Sequence, residues 1–167
     1  LAPAFMDGHI HIESSMLSVG EYAKAVVPHG TSGVFIDPHE ICNVLGLEGV
    51  SYMMEDAKRT PMKTMLTTPS CVPAVGGFED TGAKIDPEDV ALTMDYDCCV
   101  GLGEMMNFKG GIGEDEEVIR KLEISNGLSK PIDGHAPRVS GDDLKKYASY
   151  NISTDHESTD FQEAIEK

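Results

Sequence analysis

Residues 8 to 14 read "GHIHIES", with His9 and His11 one residue apart in an apolar setting. On a strand, residues i and i+2 point the same way, about 6.5–7 Å apart along the backbone. Two imidazoles so placed can converge on one cation. Three further histidines close apolar segments: His39 in "DPHE", His135 in "DGHAP" and His156 in "STDHE". A fourth apolar segment ends in "GLGEMMN" and supplies Glu104. Imidazole with carboxylate suits a divalent metal such as zinc, iron or manganese. His9, His11, Glu104, His135 and His156 are therefore the candidate metal ligands. His39, with Glu40, reads as a group that orients ligands or meets substrate. Met105, Met106 and Asn107, together with Glu13-Ser14-Ser15, are candidate pocket-lining positions. His29 sits at the opposite end of its unit and reads as a surface residue.

For these side chains to meet, the segments carrying them must end on one side of the molecule. Strand-like runs begin near residues 3, 32, 63, 98, 131 and 151, roughly 30 residues apart on average. Helical patterns separate them. Ser18 to Glu21 has the form of a capping box, and Pro28 ends that helix. Leu47, Val50, Met54 and Ala57 share one helical face. Asp86-Pro87-Glu88 starts a helix with a cap, a proline at the first position and an acid in the first turn. Further helices are expected over Asp115 to Leu122, from Ser140 through Tyr147, and after Thr159. Residues 70 to 85, rich in Gly, Pro and Ser, read as a loop. Strand and helix alternate six times, the rhythm of βα units on a parallel sheet. A complete (β/α)8 barrel takes about 250 residues, so six units make about three-quarters of one. A doubly wound open sheet is the rival, although Gly8 is followed by histidine rather than by a glycine-rich phosphate loop. In a parallel barrel the strand C-termini share one face, where chemistry is done. Five of the six histidines fall there.

Composition narrows the function classes. The 167 residues are 40% apolar and 25% charged, as in a soluble globular domain with its own core. The formal charge of −16 disfavours nucleic-acid partners. No stretch has the roughly 20 apolar residues a membrane span needs. Cys42, Cys71, Cys98 and Cys99 form no C-x-x-C pair, which disfavours a zinc ribbon and fits reduced core residues in a cytoplasmic protein. The chain begins at Leu1 and stops at Lys167 inside a helical pattern, so residues 1–167 are expected to be a single barrel domain truncated at both ends. An open sheet edge exposes strand hydrogen bonds, so homo-oligomers or aggregation are expected.

The segments "MDGHIHIESSM", "DPHEICNVLGLEG", "PSCVPA", "GLGEMMN", "IDGHAP" and "STDHE", in this order, resemble the adenine deaminases of the amidohydrolase superfamily. The likeness runs over residues 3 to 167. H-x-H alone would point only to the superfamily; the first two segments are far more specific. The resemblance implies a (β/α)8 metal-dependent barrel, present as about six βα units. It implies hydrolysis of adenine to hypoxanthine and ammonia by a metal-bound hydroxide at a binuclear manganese, iron or zinc centre. In that picture His9 and His11 form the strand-one pair, Glu104 bridges the metals in place of the carbamylated lysine of many relatives, and His135 and His156 complete the set. His39 would assist catalysis; Glu40 and Asn107 would meet the substrate. The superfamily's strand-eight aspartate has no counterpart in these residues. An inactive metal-binding fragment, or an amidohydrolase acting on another nucleobase or cyclic amide, are the alternatives.

Overall fold

The computed structural model describes residues 2–167. Six strands, β1 (Phe5–Ile10), β2 (Thr31–Ile36), β3 (Lys63–Thr68), β4 (Cys99–Met105), β5 (Ile132–Gly134) and β6 (Ile152–Asp155), pair in sequence order. Every neighbouring pair is parallel. The sheet curls into an open half-barrel, the incomplete (β/α)8 architecture expected, and the doubly wound order is excluded. Among the described residues, no helix is long and apolar enough to cross a membrane.

Among the described residues, eight α-helices connect or follow the strands. After β1, a 3-10 turn over Ile12–Ser15 leads to α1 (Val19–Val26), with Ser18 accepting a hydrogen bond from the Glu21 N–H. The reciprocal half of that capping box is missing, because the Glu21 carboxylate pairs with Lys24. Between β2 and β3 lie α2 (His39–Leu45) and α3 (Leu47–Ala57), separated at Gly46, whose φ of 58° breaks the helix. Nothing in the sequence announces α2, because Pro38 stands at its N-cap and no side chain caps it.

After β3, residues 69–86 run without a strand or α-helix to α4 (Pro87–Met94), where Asp86 and Asp89 complete a full capping box. After β4 come α5 (Phe108–Ile112), hidden in the sequence by Gly110 and Gly111, and α6 (Glu116–Gly127), whose N-terminus is capped by Asp115. The α6 helix runs five residues past the expected Leu122. Next come α7 (Gly141–Ala148) and α8 (Phe161–Glu166); Asp160 caps α8, one residue later than expected. Ser140 holds the cap position of α7 without making a side-chain bond.

The core lies between sheet and helices: Val34, Ile36, Leu66, Leu102 and Ile132 from the strands meet Val50, Met53, Val90, Met94 and Leu122 from the helices. β4 is buried along almost its whole length, as a central parallel strand should be. At Gly103 a Cβ would collide with the Asp37 carboxylate and the Thr68 carbonyl. The glycine lets Asp37 reach across to the strand that carries Glu104.

Candidate metal centre

Glu104, near the end of β4, is 2% exposed. A carboxylate so buried costs several kcal/mol unless opposing charge or donors surround it. Here histidines do so. Its Oε1 faces His11 Nε2 at 3.1 Å, His39 Nδ1 at 3.4 Å and His9 Nε2 at 4.0 Å. Its Oε2 faces His135 Nδ1 at 2.5 Å and His156 Nε2 at 3.1 Å. The two oxygens thus serve two separate groups of rings, drawn from β1 and the start of α2 on one side and from the ends of β5 and β6 on the other.

Two more aspartates hold this cluster. Asp37, just past β2 and 1% exposed, accepts the Glu104 backbone N–H on Oδ2 at 3.0 Å. Its carbonyl receives the His11 Nδ1–H at 2.8 Å. A carbonyl only accepts, so a neutral His11 presents Nε2 with its lone pair toward Glu104. Asp133 on β5 places Oδ2 3.1 Å from His156 Nδ1 and 3.3 Å from His9 Nδ1. His11 lies one residue beyond β1 but keeps extended backbone, φ −104° and ψ 95°, so the expected alternation with His9 survives. Their Nε2 atoms come within 3.0 Å of each other.

The protonation of the cluster follows from this geometry. Burial alone would raise the Glu104 pKa; the contacts with His11, His135 and His156 outweigh it and hold the carboxyl far below its usual range. Burial alone would depress His11, but Glu104 and the Asp37 carbonyl and charge push it up to about 9. The Asp133 and Glu104 carboxylates raise His156 to about 10. His39 is also raised, against the opposing effect of burial, by Asp37.

The donors fit bound cations. Among the described residues, His39 Nδ1, His135 Nδ1 and Asp37 Oδ1 are buried without a hydrogen-bond partner. Such atoms are rare in folded proteins and call for a ligand. His135 Nδ1 approaches Glu104 Oε2 closely, yet the two are not aligned as donor and acceptor. A cation held between them would satisfy both atoms. Sets of three ligating atoms within 4.8 Å of one another include His9-His11-Glu104 and Glu104-His135-His156. Nitrogen and oxygen donors of this kind suit manganese, iron or zinc.

All the sequence-derived ligand candidates, and His39, meet at this one place. Glu40 and Asn107 do not. Glu40 accepts the Ser14 hydroxyl at 2.5 Å, and Asn107 spends its side-chain oxygen capping α5 through the Gly110 N–H. Met105 is fully buried in the core rather than lining a pocket. His29 closes a turn before β2, away from the cluster. Sequence reasoning missed Asp37 and Asp133. Each stands two residues before a histidine, in "DPH" and "DGH", but Asp7 stands in the same way before His9, so the spacing by itself does not single them out.

Residues 1–167 match the profile of the amidohydrolase family. The chain is 55% identical to an adenine deaminase from Clostridium botulinum over 168 aligned residues, all of this chain and 28% of that protein. Adenine deaminases from Methanothermobacter thermautotrophicus and Methanosphaera stadtmanae are 48% and 46% identical, again over this whole chain and 31% of theirs. The chain therefore spans less than a third of the length of these relatives. With its profile matched end to end, the chain belongs to the amidohydrolase family.

Proposed function

We propose that the full-length protein hydrolyses adenine to hypoxanthine and ammonia, and that this chain supplies most of a two-cation centre. The observation that carries the reading is the division of Glu104 between two groups of imidazoles, one at each carboxylate oxygen. A carboxylate that bridges two cations needs this arrangement. The substrate comes from the relatives, which are named adenine deaminases. The four sets of grouped donors contain no cysteine, which favours manganese, iron or zinc over thiolate-preferring metals.

Replacing an aromatic amine by oxygen at C6 needs a strong nucleophile near neutral pH and a proton for the departing ammonia. Cations held here would supply Lewis acidity, lowering the pKa of water from about 15.7 towards 7. The protein groups do the rest. Glu104 is kept ionised by its imidazole neighbours, and Asp37 fixes the backbone that carries it. His39, with Nδ1 3.5 Å from Asp37 Oδ1 and 3.4 Å from Glu104 Oε1, stands beside the centre and is the candidate carrier of the proton for the departing ammonia. Glu40, the second residue of α2, gives one oxygen to the Ser14 hydroxyl and has the other free for a purine N–H. Asn107 has its amide N–H groups available to a ring nitrogen. The protein acts in the cytoplasm on a small molecule, without nucleic-acid or membrane partners, and assembles as a homo-oligomer.

The test is Glu104→Gln in the full-length protein loaded with manganese. Turnover of adenine should fall by more than about 100-fold, the scale on which removing one electrostatic stabiliser acts. Metal content should fall with it. Wild-type metal content and turnover in the variant would refute the bridging role.

A further inference from the structure

Asp133 does work that the grouping around Glu104 leaves unexplained. Its Oδ2 contacts two rings at once, His156 Nδ1 at 3.1 Å and His9 Nδ1 at 3.3 Å. These rings come from β6 and β1, the first and last strands of the sheet, and they stack with centroids 4.0 Å apart at 26°. The other oxygen, Oδ1, accepts the Thr154 hydroxyl at 2.6 Å, which fixes the carboxylate plane. Asp133 is half-buried beside the two rings.

We propose that Asp133 is a positioning residue that locks His9 and His156 in the tautomer and orientation that aim both Nε2 atoms at the centre. A carboxylate oxygen accepts, so the hydrogen-bonded His156 Nδ1 carries the hydrogen, and a hydrogen on His9 Nδ1, 3.3 Å from the same oxygen, fits the contact there. Each neutral ring then has its lone pair on Nε2. Those atoms face the centre: His156 Nε2 lies 3.1 Å from Glu104 Oε2, and His9 Nε2 lies 4.0 Å from Glu104 Oε1 and 3.0 Å from His11 Nε2. The two rings belong to opposite sides of Glu104. One acid therefore sets one ligand of each cation, and it couples strands that do not pair with each other. Carboxylates behind metal-binding histidines orient the ring and raise its basicity. This inference rests on the reading that the histidines hold cations.

The experiment compares Asp133→Ala and Asp133→Asn in the full-length protein. Manganese affinity is measured by chelator competition, and the number bound by elemental analysis. Asp133→Ala should weaken both cations by about 10–100-fold, the usual cost of losing such a partner. Asp133→Asn, whose amide oxygen still accepts both ring N–H groups, should recover most of that loss. Equal losses in the two variants would make Asp133 a ligand or a charge rather than a positioning residue, as would loss of one whole equivalent of metal. Wild-type affinity in Asp133→Ala would also overturn it. A second readout needs no variant. In the cobalt(II)-loaded wild type, the ring N–H protons of His9 and His156 should be paramagnetically shifted and slow to exchange with D2O. Either ring bound through Nδ1 would end the proposal. A wild type that binds no cation would instead sink the proposed centre itself, so the two failures are distinguishable.

Discussion

Two glutamates in this chain show how differently one residue type can be buried. Glu104 has no lysine or arginine beside it; its counter-charge is imidazole, which carries that charge only while protonated. That is a poor permanent solution and a good exchangeable one, because cations can take the place of the protons. Glu163 is held the opposite way, by the Lys167 ammonium, the Arg138 and Thr159 N–H groups and the Thr159 hydroxyl. Lys167 is the largest influence, and the pKa drops from 4.5 to about 2. A depressed carboxyl stabilises the fold fully above its unfolded pKa, and that contribution is lost as pH falls through the folded value. We expect the Arg138 and Thr159 amides to exchange faster as pH is lowered from 4.5 to 2, beyond the intrinsic rate, and to be fast at neutral pH in Glu163→Gln. Hydrogen exchange by mass spectrometry reads both, and pH-independent protection would contradict the assignment. The histidines were legible in the sequence because their type is rare and their positions recur at segment ends. Asp37 and Asp133 were not, because aspartates abound in a chain with 29 acidic residues and only the fold separates two of them from the rest.

At the scale of elements, the centre depends on the relative height of neighbouring strands. Tyr147 on α7 sets that height behind β4 and β5. Its hydroxyl donates to the Met105 carbonyl at 2.8 Å and accepts the His135 N–H at 3.1 Å. The ring is almost fully buried, and burial pushes the phenol pKa up, so it stays neutral. Tyr147→Phe leaves the buried Met105 carbonyl and the partly buried His135 N–H without this partner, which costs about 1–3 kcal/mol. The variant should unfold earlier in denaturant and bind metal more weakly through His135. Unchanged stability and affinity would show that the strands hold their register without it. Strand order was readable because βα units repeat at even spacing and parallel pairing follows from that repeat. The α2 and α5 helices were not, since one starts behind a proline without a capping side chain and the other is interrupted by glycines. Their existence matters to the site: α2 turns His39 inward, and α5 takes the oxygen of Asn107.

On the scale of the whole molecule, the sheet has two unpaired edges, β1 and β6, in a parallel fold that normally closes on itself. Phe5 is 74% exposed on the first edge, and Phe161 and Ile165 are exposed on α8 beside the last. Free edges and apolar faces invite pairing with other chains. The 167-residue chain expressed by itself should therefore run above monomer mass in light scattering; a monodisperse, thermally stable monomer would contradict this view of the edges. The charge of −16 keeps like surfaces apart at low salt, so association should strengthen as salt screens it.

The central claim is that Glu104 stands between two cations. The most direct measurement is anomalous diffraction from manganese-loaded crystals of the full-length protein. Two peaks are predicted, about 3.5–4 Å apart as in other two-metal sites. One should lie among His9, His11 and Glu104 Oε1, the other among His135, His156 and Glu104 Oε2. No peak, or a single peak away from Glu104, would contradict the account.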